Sequence, residues 1–479
     1  MPLASYVRIF LTTRSVYDSA VQRGILEKLK PLLTTLQLLG MFCLPLNDGN
    51  RRKNSLKTLF LSLLLAIYFA LNVYLFQFNM AILFEIIGVK GFVNVFSLAT
   101  AVTGIKPFVN AVHLSYFAYH ALAHRRLLRH LVNTDKVFCT HFNRTPGIQA
   151  ASRLFFGLLF VFCSFPVLLA ISEKIVFQEY PFQNLVHDLT AILLFFLTAW
   201  SAAPVLYFVV LTRLCRFWFE TLREAMKEDK DLNQRSVRFY YRQYCRLCQF
   251  LEQLGEVFNP LVGITVLWTV FSMCISIYFF TKTDHFVESS PEMGRERVYF
   301  SLAYTLVQIT LAAACLSLIC ISGIVTNESA REVMKPVLEL NPESLCDKFN
   351  LLCFIQKIEQ QSQWGVTAWS MVLMERKVLL TLFSLIVSYA LLLWNFKSEQ
   401  SKIRSMSTNS SIPFQSVTLL ATFGMYCVVG VPVMCTNGLL VLTILSYKAL
   451  RNRKEFILIA TLCFFDFFSY GFFNFSASK

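Results

Sequence analysis

The chain has 479 residues, of which 56% are hydrophobic and only 15% charged, with a mean hydropathy of +0.54. Those values exclude an ordinary soluble domain and define a polytopic, all-α membrane protein. The formal net charge of +15 does not argue for nucleic acid, because the Lys and Arg residues flank apolar stretches, where membrane topology accounts for them.

Residues 1–57 form a basic N-terminal segment ahead of the first apolar run. No cleavable signal peptide is visible, so the first spanning helix itself directs insertion. A span needs about 20 mostly apolar residues. Seven such runs come in order over 58–78, 91–113, 153–175, 188–212, 259–281, 299–323 and 377–396. Two more lie over 414–446 and 455–475.

The connecting segments alternate in charge. Arg51, Arg52 and Lys53 precede the first run; Arg125, Arg126 and Arg129 come after the second; Arg213, Arg223 and Arg242 come after the fourth. The opposite loops carry Glu179, Asp284 and Glu288. The positive-inside rule therefore predicts a cytoplasmic N-terminus, with the linker 397–413 outside the cell. Asn409-Ser410-Ser411 lies in that linker as a glycosylation acceptor. This orientation is the reverse of a G-protein-coupled receptor.

Between Leu214 and Leu254 there is no Pro or Gly. The spacing predicts that the fourth and fifth helices continue past the membrane and pack together below it. Residues 326–376 are polar and then carry Trp364 and Trp369, which fits either a short packed helix or an ordinary folded loop before the seventh helix. Most of the 14 cysteines sit in apolar runs as small buried hydrophobes. Cys245 and Cys248 form a CxxC without a second ligand pair, so no metal site is expected. No catalytic constellation and no cofactor-binding motif is present, which argues against an enzyme.

In the seventh helix, Ser384, Ser388, Leu391 and Asn395 have i, i+4, i+7, i+11 spacing and share one face. A polar stripe at bilayer depth meets protein or water rather than lipid. The spacing allows two readings. The stripe lines a pore, with Asn395 a ring near the outer mouth and Leu391 a constriction that sheds water. Alternatively, Ser388 and Asn395 bond to a neighbouring helix of the same subunit. Tyr389 and Phe396 lie on an adjacent face. In the outer halves of the earlier helices, Trp200, Tyr278, Tyr304 and Gln308 either line a small-molecule cleft or serve ordinary helix packing.

Residues 29–46, LKPLLTTLQLLGMFCLPL, resemble the opening segment of insect-type gustatory receptors. That family's last helix carries Thr-Tyr, five apolar residues, then Gln-Phe. Here the same places hold Ser388-Tyr389, five apolar residues, then Asn395-Phe396. Ser keeps the hydroxyl and Asn keeps the amide. The resemblance covers roughly 25–400 and includes a nematode branch linked to light or peroxide sensing. It implies a plasma-membrane chemosensory receptor that is itself a ligand-gated cation channel, a homo- or hetero-tetramer with the last helix lining the pore. A G-protein-coupled chemoreceptor is the alternative; a transporter finds no support in internal repeats. Residues 414–479 do not fit that family. They resemble the first two helices of a nematode rhodopsin-like chemoreceptor, with Asn437 and Asp466 at the matching places. The expected domains are therefore 1–57, 58–396, the linker 397–413, and a two-helix fragment over 414–479, contributed by a neighbouring gene or, as the alternative, completing a nine-helix receptor.

Overall fold

The computed structural model describes residues 22–42, 51–90, 95–176, 185–229, 232, 235–281, 295–368, 372–382, 384 and 386–388. In chain order these form α1 (Gln22–Leu38), α2 (Arg51–Lys90), α3 (Val95–Tyr119), α4 (Ala121–Phe142), α5 (Ile148–Val176), α6 (Leu185–Glu228), α7 (Val237–Thr281) and α8 (Arg295–Glu332). Three short helices come next, α9 (Met334–Glu339), α10 (Leu345–Glu359) and α11 (Gln361–Trp364), then a two-stranded antiparallel hairpin, β1 (Thr367–Ala368) and β2 (Val372–Leu373). Helix resumes at residue 376. The expected spans at 389–396, 414–446 and 455–475, and the linker with Asn409, lie outside the described residues.

Five helical stretches among the described residues are long and apolar enough to cross a bilayer: Leu56–Glu85, Ile148–Ser172, Ile192–Glu228, Val237–Cys274 and Ala303–Glu339. They correspond to the first, third, fourth, fifth and sixth expected spans, and α3 to the second. Helix α2 begins at Arg51, ahead of the expected boundary at residue 57. Phe60, Tyr74 and Phe84 of α2 and Phe160, Phe165 and Leu168 of α5 are exposed. Such a belt of large apolar side chains would be a liability in water and is the surface a lipid bilayer covers.

Helices α6 and α7 are 44 and 45 residues long, so each runs well beyond the bilayer core. Their apolar residues recur every three or four positions. Tyr207, Leu211, Leu214, Trp218 and Leu222 of α6 and Tyr240, Tyr244, Leu247, Leu251 and Phe258 of α7 are all buried. The turn between them is set by Asp229, whose carboxylate accepts from the Arg235 amide and the Tyr240 hydroxyl, both at 2.9 Å. Arg235 in turn donates to the His141 carbonyl at 2.7 Å and lies 5.0 Å from the Phe142 ring centre. The extensions thus pack together and onto α4, as the uninterrupted stretch from Leu214 to Leu254 predicts.

The N-terminal segment is more than a tail. Helix α1 buries Ile25, Leu29, Leu32 and Leu36. Its end is a Schellman turn: Gly40 donates to the Gln37 carbonyl at 3.0 Å and Met41 to that of Leu36 at 2.9 Å. Gly40 has φ +77°, and a Cβ there would stand 3.0 Å from the Tyr68 ring, so glycine is required twice over.

Candidate functional site: the root of the last helix

The segment between α8 and the last helix holds short packed helices, the first of the two expected readings, and adds a hairpin that neither reading includes. It is α9–α11 and the hairpin, held by one side chain. Asn327, buried in α8, donates through Nδ2 to the carbonyls of Val366 at 3.0 Å and Met374 at 2.9 Å. Its Oδ1 accepts from the Val366 amide at 2.8 Å. Gln361 Nε2 donates to the Asn327 carbonyl at 2.7 Å. A carboxamide offers one acceptor oxygen and two donor hydrogens, so Asn327 pairs the Val366 amide and the Met374 carbonyl, and adds a second donor to the Val366 carbonyl, which also accepts from the Met374 amide at 3.0 Å. Two glycines allow this close approach. A Cβ on Gly323 would lie 2.9 Å from the Met374 side chain, and one on Gly365 would lie 2.6 Å from Leu373.

Ion pairs flank the clasp. Arg376 forks onto Glu328 at 2.6 and 2.9 Å, and Arg331 reaches Glu375 at 2.6 Å. Glu375 and Arg376 sit where the last helix starts, so its root is tied to α8 through backbone, amide and charge together. Below, Tyr244 packs against Phe354 at 5.0 Å and Trp364 at 5.6 Å.

Residues 376–382, 384 and 386–388 are helical. Ile386 is buried, and Leu379 and Leu382 pack on the core. Leu380, Thr381, Ser384, Val387 and Ser388 are exposed. Of the proposed pore residues, Ser384 and Ser388 therefore share the face turned away from the subunit's own bundle. Tyr389, Leu391, Asn395 and Phe396 lie outside the described residues.

The ligand candidates are spread over three helices. Trp200 of α6 is fully buried; its indole N–H donates to the Leu39 carbonyl at 3.2 Å, and its ring meets Tyr68 at 5.0 Å and Phe196 at 5.7 Å. It seats the end of α1. Tyr304 and Gln308 are half-buried one turn apart on α8, their side chains interacting, while Gln308 Nε2 is a buried donor without a partner. Tyr278 lies on α7. Sequence reasoning missed Asn327 altogether. Its only signal is an amide four residues after Gly323, where the sixth apolar run has given way to polar residues.

A bundle of membrane-length helices, with long extensions beyond the bilayer clasping the root of a final span, defines a polytopic helical membrane receptor. The chain belongs to the 7tm chemosensory receptor family, whose model matches residues 29–400. It is 28% identical over 390 residues, 78% of this chain, to 75% of a Caenorhabditis elegans protein described as probable G-protein coupled receptor egl-47. Its fold is similar to that of the insect olfactory receptor OR5 from Machilis hrabei, with a TM-score of 0.57 at 12% identity over 78% of this chain and 98% of that one. The expected resemblance to insect-type chemosensory receptors is thus borne out, and the family match ends at residue 400, before the two-helix fragment.

Proposed function

We propose that the chain is a ligand-gated cation channel of the plasma membrane, with a cytoplasmic N-terminus and a pore lined by the last helix of four subunits. The observation that supports this reading is the exposure of Ser384 and Ser388 while Ile386 on the same helix is buried. A hydroxyl stripe at bilayer depth that finds no partner among the described residues is suited to water or another subunit. Leu391, one turn inside Asn395, closes the dry gap; Asn395 forms the polar ring above it. A small-molecule ligand enters the outer half of the bundle and is met by Tyr278, Tyr304 and Gln308, the last with an amide free to donate. No enzymatic step is part of this reading, and light or peroxide is the alternative stimulus within it.

The experiment is to record stimulus-evoked current in a naive cell with G-protein signalling blocked, using Leu391→Ser and Asn395→Asp at matched surface levels. Leu391→Ser keeps the constriction wet and gives current without stimulus. Asn395→Asp adds four carboxylates at the mouth and raises divalent permeability. Silent Leu391→Ser channels with unaltered Asn395→Asp selectivity would end the pore reading.

A G-protein-coupled mode is the second reading, favoured by the description of the egl-47 relative as a probable G-protein coupled receptor. It requires the current to vanish when G-protein signalling is blocked.

A further inference from the structure

A groove of about 460 Å³ runs between the first turn of α5, the middle of α6 and α8. Its walls are of two kinds. Leu154, Val209, Phe217, Ile321 and Val325 make an apolar side. Leu154 and Ile321 are exposed there, and helical spacing puts Leu154 on the face of α5 that carries the exposed Phe165 and Leu168. Arg213 and Arg216 make the polar end. The groove therefore straddles the level at which the belt of exposed apolar residues gives way to charged ones.

The donors at that end can be sorted. Thr212 and Thr326 bond backbone carbonyls, at 3.0 Å to Phe208 and 2.7 Å to Ser322. Arg216 donates through Nε to Glu220, which also lines the groove, at 2.7 Å. Arg213 is exposed and has no ion pair or hydrogen bond among the described residues. The N-terminus of α5, a 29-residue helix, opens at Gly147 and Ala150 on the same groove and adds its positive dipole end. Two guanidinium groups thus face one carboxylate, and the carboxylate is already paired.

The geometry points to a binding site for an anionic phospholipid, with its phosphate on Arg213 at the α5 N-terminus and an acyl chain against Leu154 and Ile321. Charge complementarity selects the headgroup, since a guanidinium fork matches phosphate oxygens in geometry as well as charge. Continuity with the lipid-facing belt selects a lipid over a soluble anion. By the positive-inside rule this end faces the cytoplasmic leaflet, where anionic lipids concentrate. The site makes no use of the pore and stands whether or not the receptor is a channel.

The test is native mass spectrometry of the detergent-purified full chain, offered equal phosphatidylserine and phosphatidylcholine. Phosphatidylserine is retained in preference, and excess inorganic phosphate does not remove it. Arg213→Gln lowers that retention roughly fivefold, the effect of one basic side chain at an anionic surface. Arg153→Gln, an exposed arginine on α5 outside the groove, does not. Leu154→Trp fills the apolar wall and lowers retention with every charge in place, which keeps the test decisive if Arg213→Gln does not insert. Equal retention of the two lipids, displacement by inorganic phosphate, or equal effects of Arg153→Gln and Arg213→Gln would each overturn the site.

Discussion

His124 of α4 is fully buried among Phe42, Phe117, Tyr207 and Phe258, with the stacked Phe117 ring centre 4.8 Å away. Neither ring nitrogen has a hydrogen-bond partner among the described residues. Burial holds its pKa down, from 6.5 to about 3. The folded protein therefore keeps His124 neutral where the unfolded chain binds a proton. Stability is full above 6.5, and this group withdraws it as pH falls from 6.5 toward 3. His124→Phe fits the same aromatic box and removes two unpaired buried nitrogens. It is expected to raise stability by about 1–3 kcal/mol and to flatten the acid limb, as read by thermal unfolding at pH 7 and pH 5. Asn327 gives the opposite result. Asn327→Leu keeps the volume but strands the Val366 amide and the Met374 carbonyl, at a cost of about 2–4 kcal/mol, while the Val366 carbonyl keeps its bond from the Met374 amide. Unfolding of the purified variant measures it, and Asn327→Asp, which turns a buried carboxylate oxygen toward the Val366 and Met374 carbonyls, is expected to cost at least as much. Neither residue is legible in sequence, because His124 beside Arg125 and Arg126, and Asn327 in the polar stretch that begins at residue 326, read as surface groups and say nothing of what surrounds them.

At the scale of elements, the sequence speaks more clearly where one rule governs a long stretch. Hydropathy finds the spans, since lipid tolerates only internally bonded backbone. The absence of Pro and Gly from Leu214 to Leu254 carries the extensions of α6 and α7, and it leaves unsaid that Asp229 breaks them into two helices. The Leu39-Gly40 turn is legible as a turn, whereas its contact with Trp200 joins residues 161 positions apart and is not. Trp200→Phe keeps the ring packing and deletes that bond. It is expected to loosen α1, seen as faster amide exchange over 25–41, with little change in the apolar core. The hairpin was beyond reach because its two-residue strands are set by Asn327 and the glycines rather than by any strand pattern. The pairing of Arg376 with Glu328 is the element-scale link between α8 and the last helix. Exposed pairs of this kind add little stability, so the proposed channel reading gives them a role in the stimulus response. Glu328→Arg and Arg376→Glu are each expected to shift the stimulus–response curve, and the double swap to restore it. Dose–response recordings of the three variants check this, and two additive shifts would dissolve the link.

Over the whole molecule, ion pairs join the loop after α4 to α6 (Arg144–Glu224), α6 to α8 (Arg223–Glu332) and α10 to α7 (Lys357–Glu252). These pairs involve the basic segments that the positive-inside rule assigns to the cytoplasm. The family match stops at residue 400, and the chain beyond it carries Asp466 in an apolar run. A carboxylate at bilayer depth is costly unless paired or at work in a mechanism. The helices of 58–396 offer it no evident partner in sequence. If residues 414–479 derive from a neighbouring gene, they add that cost without contacts to offset it, and the receptor should be better without them. Truncation after residue 412 is then expected to leave surface expression and stimulus response intact. Asp466→Leu in the full chain is expected to raise surface expression, because it removes the charge and nothing else. If the tail is instead part of a nine-helix receptor, truncation abolishes the response with the earlier helices still inserted, and Asp466→Leu impairs function rather than relieving a burden. Surface biotinylation together with stimulus-evoked responses of both variants distinguishes the two, since only the first account lets the shorter chain perform as well as the longer one.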